Sequence, residues 1–380
     1  MNTHSWTAQQ RVVHGAPIAE SLPREIEQAA RIVLVTTRSL TDSALVGQAA
    51  RIIGGKLAGR FSAMRAHSPV EDVLALAALL RQSGCDLVIA IGGGSVIDGT
   101  KAACFAAWRN ITDTAALKAA QGQRGREPFG WPGSPPSPRF IAIPTTLSAA
   151  EFAPYAGVTD LSEGRKFRLL DAWMVPVSVL LDPAATLATP PALFLSSGIR
   201  AVDHAAERWC AKATQPFSDA VSLKALELLA EGLRAVHQAP DDLAARALCQ
   251  QGAWLSIMGG WAGVPVGASH GIGYILGGAR GVPHGFTSCV MLPAVMQWNA
   301  PVNGARQAEL ARIFGGTSGH AALRDFIGGL GLPNSLGAVG IAADDIPDLA
   351  RRWLGDAPIA TNPRPVAGAA DIEAILRLAL

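Results

Sequence analysis

The sequence predicts a chain in two parts, an α/β N-terminal half built on a parallel sheet and an all-helical C-terminal half. Three observations predict it. Continuous apolar runs at Ile32–Thr36, Asp86–Ile91 and Phe140–Ile143 alternate with helical patterns, as strands covered on both faces do. After about Leu181 the strand signals stop, and Ala/Leu-rich segments with helical spacing take over, as at Ser218–His237 and Asp241–Met258. The length, 380 residues, is that of two domains rather than one.

Within the first half, Ser68-Pro69-Val70-Glu71 reads as a capping box with proline at the first helical position, opening a helix to about Leu80. The Gly- and Pro-rich stretch Gln121–Arg139 reads as a surface loop. The expected boundary lies near residue 165, with 1–165 forming the α/β domain and 166–380 the helical one.

Composition narrows the function. Apolar residues make up 49% and charged residues 16%, which is too apolar for a disordered chain. The longest apolar stretch, Cys289–Trp298, is interrupted by Pro293 and Gln297 and is too short to span a membrane, so no membrane partner is expected. Thirty-two basic side chains against thirty acidic ones leave +2, which gives no electrostatic case for nucleic acid. Cys85, Cys104, Cys210, Cys249 and Cys289 form no CxxC pair, and Met1–Gln10 is polar with no apolar h-region. Reduced, buried thiols in a cytoplasmic protein are the expectation.

The sharpest local feature is the run Leu87–Ile91 entering Gly92-Gly93-Gly94-Ser95 and then Val96-Ile97-Asp98-Gly99-Thr100-Lys101. A strand, a glycine turn and a helix start gather backbone N–H groups and the positive helix end around one point, which suits a diphosphate. A tight βα turn with no ligand is the structural alternative. The string is neither GxGxxG nor a P-loop.

Together with Ile143-Pro144-Thr145-Thr146, Leu181-Asp182-Pro183, Ser197-Gly198 leading to His204-Ala205-Ala206-Glu207, Pro283-His284-Gly285 and Thr361-Asn362-Pro363-Arg364-Pro365, this turn resembles the iron-containing (group III) alcohol dehydrogenase family over nearly the whole chain. The short spacing from Pro144-Thr145-Thr146 to Glu151, and Gly164-Arg165-Lys166, resemble its maleylacetate reductase branch. The resemblance implies a dehydroquinate synthase-like fold, with an α/β dinucleotide-binding domain, an all-α domain and the active site in the cleft between. It also implies hydride transfer with NADH or NADPH, and a homodimer. Gly93, Gly94, Ser95 and Asp98 are implied to line the diphosphate, Thr145 and Thr146 the ribose and adenine regions, and Lys166 the nicotinamide ribose. Lys101 is either a ligand contact or a counter-charge at the helix start. Relatives that prefer NAD often carry an Asp after the first strand. Here Thr36-Thr37-Arg38 stands there instead, so NADPH is expected to be accepted near Thr36 and Arg38, with a merely solvated arginine as the alternative.

Metal-dependent relatives hold a divalent ion with one Asp and three His. By resemblance, His204, His270 and His284 stand at the histidine positions, whereas the acid's position, one helical turn before His204, is Arg200. A guanidinium cannot ligate a metal, so no catalytic metal is expected. A further histidine of the family, often given a proton-transfer role, is replaced by Tyr274. Three histidines and an arginine without a metal would make a cationic pocket for a small carboxylate-bearing substrate. Arg200 would grip it, His270 or Tyr274 would give a proton, and His204 and His284 would orient it. Arg200 bridging to Asp203 or Glu207 on its own helix is the alternative. A reductase of another carbonyl compound, or a nucleotide-binding relative that has lost redox turnover or does non-redox acid–base chemistry, remain the competing functions.

Overall fold

In a computed structural model of the chain, the described residues are 9–121, 134–353, 355 and 358–380. Most of the loop expected at 121–139 lies outside them. Among the described residues, eight strands and five α-helices occupy the first part: β1 (Arg11–His14), α1 (Ile18–Glu25), β2 (Ile32–Val35), α2 (Ala44–Ile53), β3 (Leu57–Phe61), α3 (Val70–Ser83), β4 (Leu87–Gly92), α4 (Gly94–Trp108), α5 (Thr114–Ala119), β5 (Arg139–Pro144), β6 (Tyr155–Asp160), β7 (Arg165–Leu170) and β8 (Ser178–Leu181). Helices follow: α6 (Pro191–Trp209), α7 (Pro216–Gln238), α8 (Leu243–Trp261), α9 (Ala268–Arg280), α10 (His284–Phe314), α11 (Gly319–Gly329), α12 (Ile346–Ala350) and α13 (Ala369–Arg377). No helix among the described residues is long and apolar enough to cross a membrane.

The chain divides after Thr189, not after residue 165. The expected boundary fails because two late strands belong to the first unit. β7 pairs antiparallel with β6, and the short β8 inserts between β1 and β5 in a six-stranded parallel sheet of order β1-β8-β5-β4-β2-β3. β4 and β5 are buried at every residue, which explains why their sequences read as unbroken apolar runs. Ile32, Leu34, Ile89, Ile91, Ile141 and Ile143 join residues of α1 and α2 in one core. The helical unit has its own core, with Ile272 and Leu276 of α9 packed against Met291, Val295 and α13.

Topology then fixes where a ligand can sit. From β2 the chain passes to β3 on one side of it, and from β4 to β5 on the other side. That divergence opens a crevice at the carboxyl ends of β2 and β4, the usual binding position in such sheets. Thr36–Arg38 and the glycine turn both emerge there.

Helix α3 begins without the expected capping box. Pro69 occupies the cap position, and Ser68, in the left-handed region at φ 50°, donates its hydroxyl to the Ser95 carbonyl at 2.8 Å. The hydroxyl that would have capped α3 ties the preceding turn to the glycine turn instead.

Lys101 on α4 is fully buried, and its ammonium donates to the backbone carbonyls of Ala150, Ala153 (2.9 Å) and Tyr155 (2.9 Å) and, at 3.4 Å, to Asp98 Oδ1. It therefore brackets the segment after Thr146, and its ammonium is fully used within the protein. Beside it, Glu151 is buried, its Oε2 has no partner among the described residues, and burial pushes its carboxyl up to about 7. A carboxyl with a raised folded pKa keeps a proton that the unfolded chain releases. The stability it confers is full below about 4.5 and is lost as the pH rises to about 7. Glu151→Gln should therefore raise the melting temperature at pH 8 but not at pH 5, by an amount worth roughly 1–3 kcal/mol. Equal shifts at both pH values, read by thermal unfolding, would contradict this.

Candidate functional site

The glycine turn is built for close backbone approach. Gly93 caps α4 with no side-chain hydrogen bond, so the first-turn N–H groups are not satisfied by a capping side chain. A Cβ on Gly93 would lie 3.0 Å from Thr146 Cγ2, and one on Gly94 would lie 3.0 Å from Ser148 Oγ. The segment after β5 thus closes onto the turn, with Thr145 and Thr146 buried against it and the Thr145 N–H donating to the Gly92 carbonyl at 3.0 Å.

The other residues of this half-site divide by what they touch. Ser95 Oγ accepts from the His67 N–H at 2.9 Å. Asp98 Oδ2 accepts from the Gly157 N–H at 3.1 Å. Lys166 pairs with Thr159 across the β6–β7 hairpin, and its side chain crosses directly over Gly157, where a Cβ would stand 2.3 Å from Lys166 Cε. Gly93, Gly94, Ser95, Asp98, Thr146 and Lys166 thus gather around one turn. Thr36 does not join them. It is buried, and its hydroxyl donates to the Ile91 carbonyl at 2.9 Å, which makes it a tie between β2 and β4. Arg38 is exposed at the end of β2.

In the helical unit, α6 carries Arg200, Asp203, His204 and Glu207 at spacings that place them along one side of the helix. Helix α9 brings His270 and Tyr274, and the start of α10 brings His284 and Ser288. The rings of His204 and His270 stack with centroids 4.7 Å apart. Tyr274, 39% exposed, stands edge-on to both His270 and His284 at 6.4 Å, and the Arg200 guanidinium lies 5.6 Å from its ring centre. All five residues expected in this half-site are therefore near neighbours.

Two buried carboxylates organise the cluster, and neither was among the expected site residues. Glu207 Oε1 accepts from the Ser269 N–H (2.8 Å), and Oε2 accepts from the Gly267 N–H (2.8 Å) and shares a 2.7 Å hydrogen bond with His270 Nδ1. Asp203 Oδ2 accepts the hydroxyls of Ser288 (2.6 Å) and Ser269 (3.0 Å), with Arg200 Nη1 at 3.6 Å and His270 Nδ1 at 3.4 Å. The i, i+3 spacing of Asp203 from Arg200 and of Glu207 from His204 was the available signal for both acids.

These acids correct the expectation of a broadly cationic pocket. Burial, reinforced by the charge of Arg200, pushes His204 and His270 well below the usual imidazole range, so both are neutral near pH 7. Burial pushes Asp203 up to about 6, and burial with the Asp203 charge pushes Glu207 up to about 8. The nearer fixed positive charge acting on the two rings is that of Arg200, with Arg208 behind it and the Asp203 carboxyl beside Arg200.

The sequence pattern of the iron-containing alcohol dehydrogenases matches residues 9–183, and that of the Fe-containing alcohol dehydrogenase family, C-terminal, matches residues 194–380. A maleylacetate reductase of Burkholderia cepacia is 32% identical over 94% of this chain and 92% of its own length. A lactaldehyde reductase of Escherichia coli (strain K12) is 32% identical over 75% of each chain. The crystal structure of maleylacetate reductase from Rhizobium sp. strain MTP-10005 covers 100% of this chain and 98% of its own, with a TM-score of 0.80 at 28% identity.

Glu207→Ala would leave two buried N–H groups without their acceptor and His270 Nδ1 without its partner. It should lower the stability of the helical unit by roughly 3–5 kcal/mol. A change under about 1 kcal/mol in chemical denaturation would show that the bonds to Gly267, Ser269 and His270 are dispensable.

Proposed function

The chain belongs to the iron-containing alcohol dehydrogenase family and is an oxidoreductase, and from that premise we infer an NAD(P)H-dependent reductase of a small carboxylate-bearing carbonyl or enoate, acting without a catalytic metal. Maleylacetate, named by the Burkholderia and Rhizobium relatives, is the substrate of first choice. The observation that carries this reading is Arg200. Its guanidinium stands where metal-dependent relatives keep an acid, in contact with a buried carboxylate and beside two neutral imidazoles.

The bonds and the charge already in place at the donor set argue against a divalent ion. Asp203, Glu207 and His270 bring ligand atoms within 4.8 Å of one another, but both Glu207 oxygens and Asp203 Oδ2 are already engaged by protein donors. A dication entering among them would displace those bonds and meet the Arg200 charge. The α/β unit does fit a dinucleotide. The α4 N-terminus lacks a side-chain cap, and the Gly93 and Gly94 positions would be filled by any Cβ. Gly93, Gly94, Ser95 and Asp98 would line the diphosphate, Thr145 and Thr146 the ribose and adenine regions, and Lys166 the nicotinamide ribose. With no acid after β2 and Arg38 exposed there, a 2′-phosphate meets no repulsion, which supports use of NADPH as well as NADH.

When bound, the reduced nicotinamide supplies the hydride. The protein's own part is positioning, charge and a proton. Arg200 holds a substrate carboxylate, while His204 and His284 orient the group to be reduced. Near neutral pH Glu207 keeps its proton and donates it to His270 Nδ1, which leaves an N–H on the buried Nε2. That N–H and the half-exposed Tyr274 phenol, which water can re-protonate, are the two proton sources for the product.

Chelator-treated protein should oxidise NADH or NADPH with maleylacetate at its untreated rate, and Arg200→Ala should cut kcat/KM by roughly 100-fold. Activity that returns only with added iron or zinc would overturn the metal-free reading. Gly157→Ala, by displacing Lys166, should raise the KM for the nucleotide about tenfold with little change in kcat. An unchanged KM would remove Lys166 from the cofactor site.

A further inference from the structure

Resting on the carboxylate reading above, we propose that Asp203 and Ser288 are positioning residues that aim the Arg200 guanidinium and thereby set selectivity for carboxylate-bearing substrates. Arg200 Nη1 donates to Ser288 Oγ at 3.0 Å, and Ser288 Oγ donates onward to Asp203 Oδ2 at 2.6 Å. The direction of this relay is fixed by chemistry, because a guanidinium only donates and a carboxylate only accepts. The single serine proton must therefore point to Asp203, and its lone pair to Arg200.

The far end of the relay is itself anchored. Asp203 is fully buried, and Ser269 Oγ donates to the same oxygen at 3.0 Å. Asp203 also lies on the same helix as Arg200, three residues on, so its carboxylate meets Nη1 at 3.6 Å without any long-range adjustment. The consequence for binding lies on the other edge of the guanidinium. With Nη1 turned inward, Nε and Nη2 take no hydrogen bond among the described residues, and the Arg200 side chain is 12% exposed. Nε and Nη2 form the side-on fork that matches the two oxygens of a carboxylate. A long side chain offers that fork in one orientation only if something restrains it, and the serine–aspartate pair supplies the restraint.

The test compares wild type, Ser288→Ala and Asp203→Asn with maleylacetate and with lactaldehyde, which has a carbonyl but no carboxylate. Succinate serves as a dicarboxylate competitor. Ser288→Ala changes no charge, so it isolates aim. It should raise the KM for maleylacetate and the inhibition constant of succinate about tenfold in parallel, with a much smaller fall in kcat. The ratio of kcat/KM for maleylacetate over lactaldehyde should drop by the same factor. Asp203→Asn should move both constants in the same direction. If Asp203 merely balanced charge, that variant would make the pocket more cationic and lower them, which overturns the proposal. Unchanged constants in Ser288→Ala overturn it too, as does a loss of kcat on both substrates alike, the mark of a packing role. Should the wild type itself show equal kcat/KM for the two substrates, the carboxylate reading falls and the positioning role falls with it. A wild-type preference that survives Ser288→Ala sinks the positioning role alone.

Discussion

One buried carboxylate, Glu207, holds the helical half-site together. Its two oxygens receive the N–H groups of Gly267 and Ser269 and engage His270 Nδ1, so a side chain of α6 caps the start of α9 and orients the first functional ring on it. Asn362 Oδ1 receives the intervening N–H of Ala268 at 3.3 Å. Three donors at the α9 N-terminus, those of Gly267, Ala268 and Ser269, are thus met by side chains from two other segments of the chain. Without them the entry to α9 would be a glycine-started turn whose cap, Gly267, offers no side chain of its own. The placement of His270, and of Tyr274 one turn later, follows from that cap.

The α/β unit uses the same device with the opposite sign. Lys101 reaches out of α4 to three carbonyls of the 150–155 segment and so holds the residues after Thr146 against the glycine turn. In each unit a buried ionisable side chain, the Lys101 ammonium or the Glu207 carboxyl, is bonded to several backbone groups that point at it, which offsets the cost of burying it. Irregular segments are fixed in this way where neither helix nor strand could fix them.

Much of this was legible in the residues, and the failures have physical causes. β4 and β5 announce themselves because strands buried on both faces must be apolar throughout. The domain boundary was not legible, because β8 is four residues long and follows a hairpin strand whose exposed residues include Arg165, Lys166 and Arg168. Ser68 misled because its positive φ turns the hydroxyl towards Ser95, something a local pattern cannot show. Thr36 misled for a related reason: its hydroxyl is satisfied inside the sheet. Arg200, His204, His270, Tyr274 and His284 were found by resemblance, and the structure groups them. Asp203 and Glu207 sat in plain view at helical spacing, but their weight depends on Ser269, Gly267 and Ser288, which lie sixty or more residues away in sequence.

The acids also change what kind of recognition the pocket can perform. Three charged imidazoles with an arginine would attract any anion through field alone, and would do so less well as salt screens it. Two neutral imidazoles beside an arginine that is partly balanced by Asp203 provide little such field. What is left is direction. One planar fork is held by a serine and an aspartate, and ring nitrogens are fixed by a carboxylate behind them. Recognition by direction discriminates shape and spacing more sharply than recognition by charge, because a misplaced carboxylate gains little and leaves a buried donor unpaired. On the proposed reading, Arg200 therefore does more than add a charge: it centres the pocket on an oriented side chain.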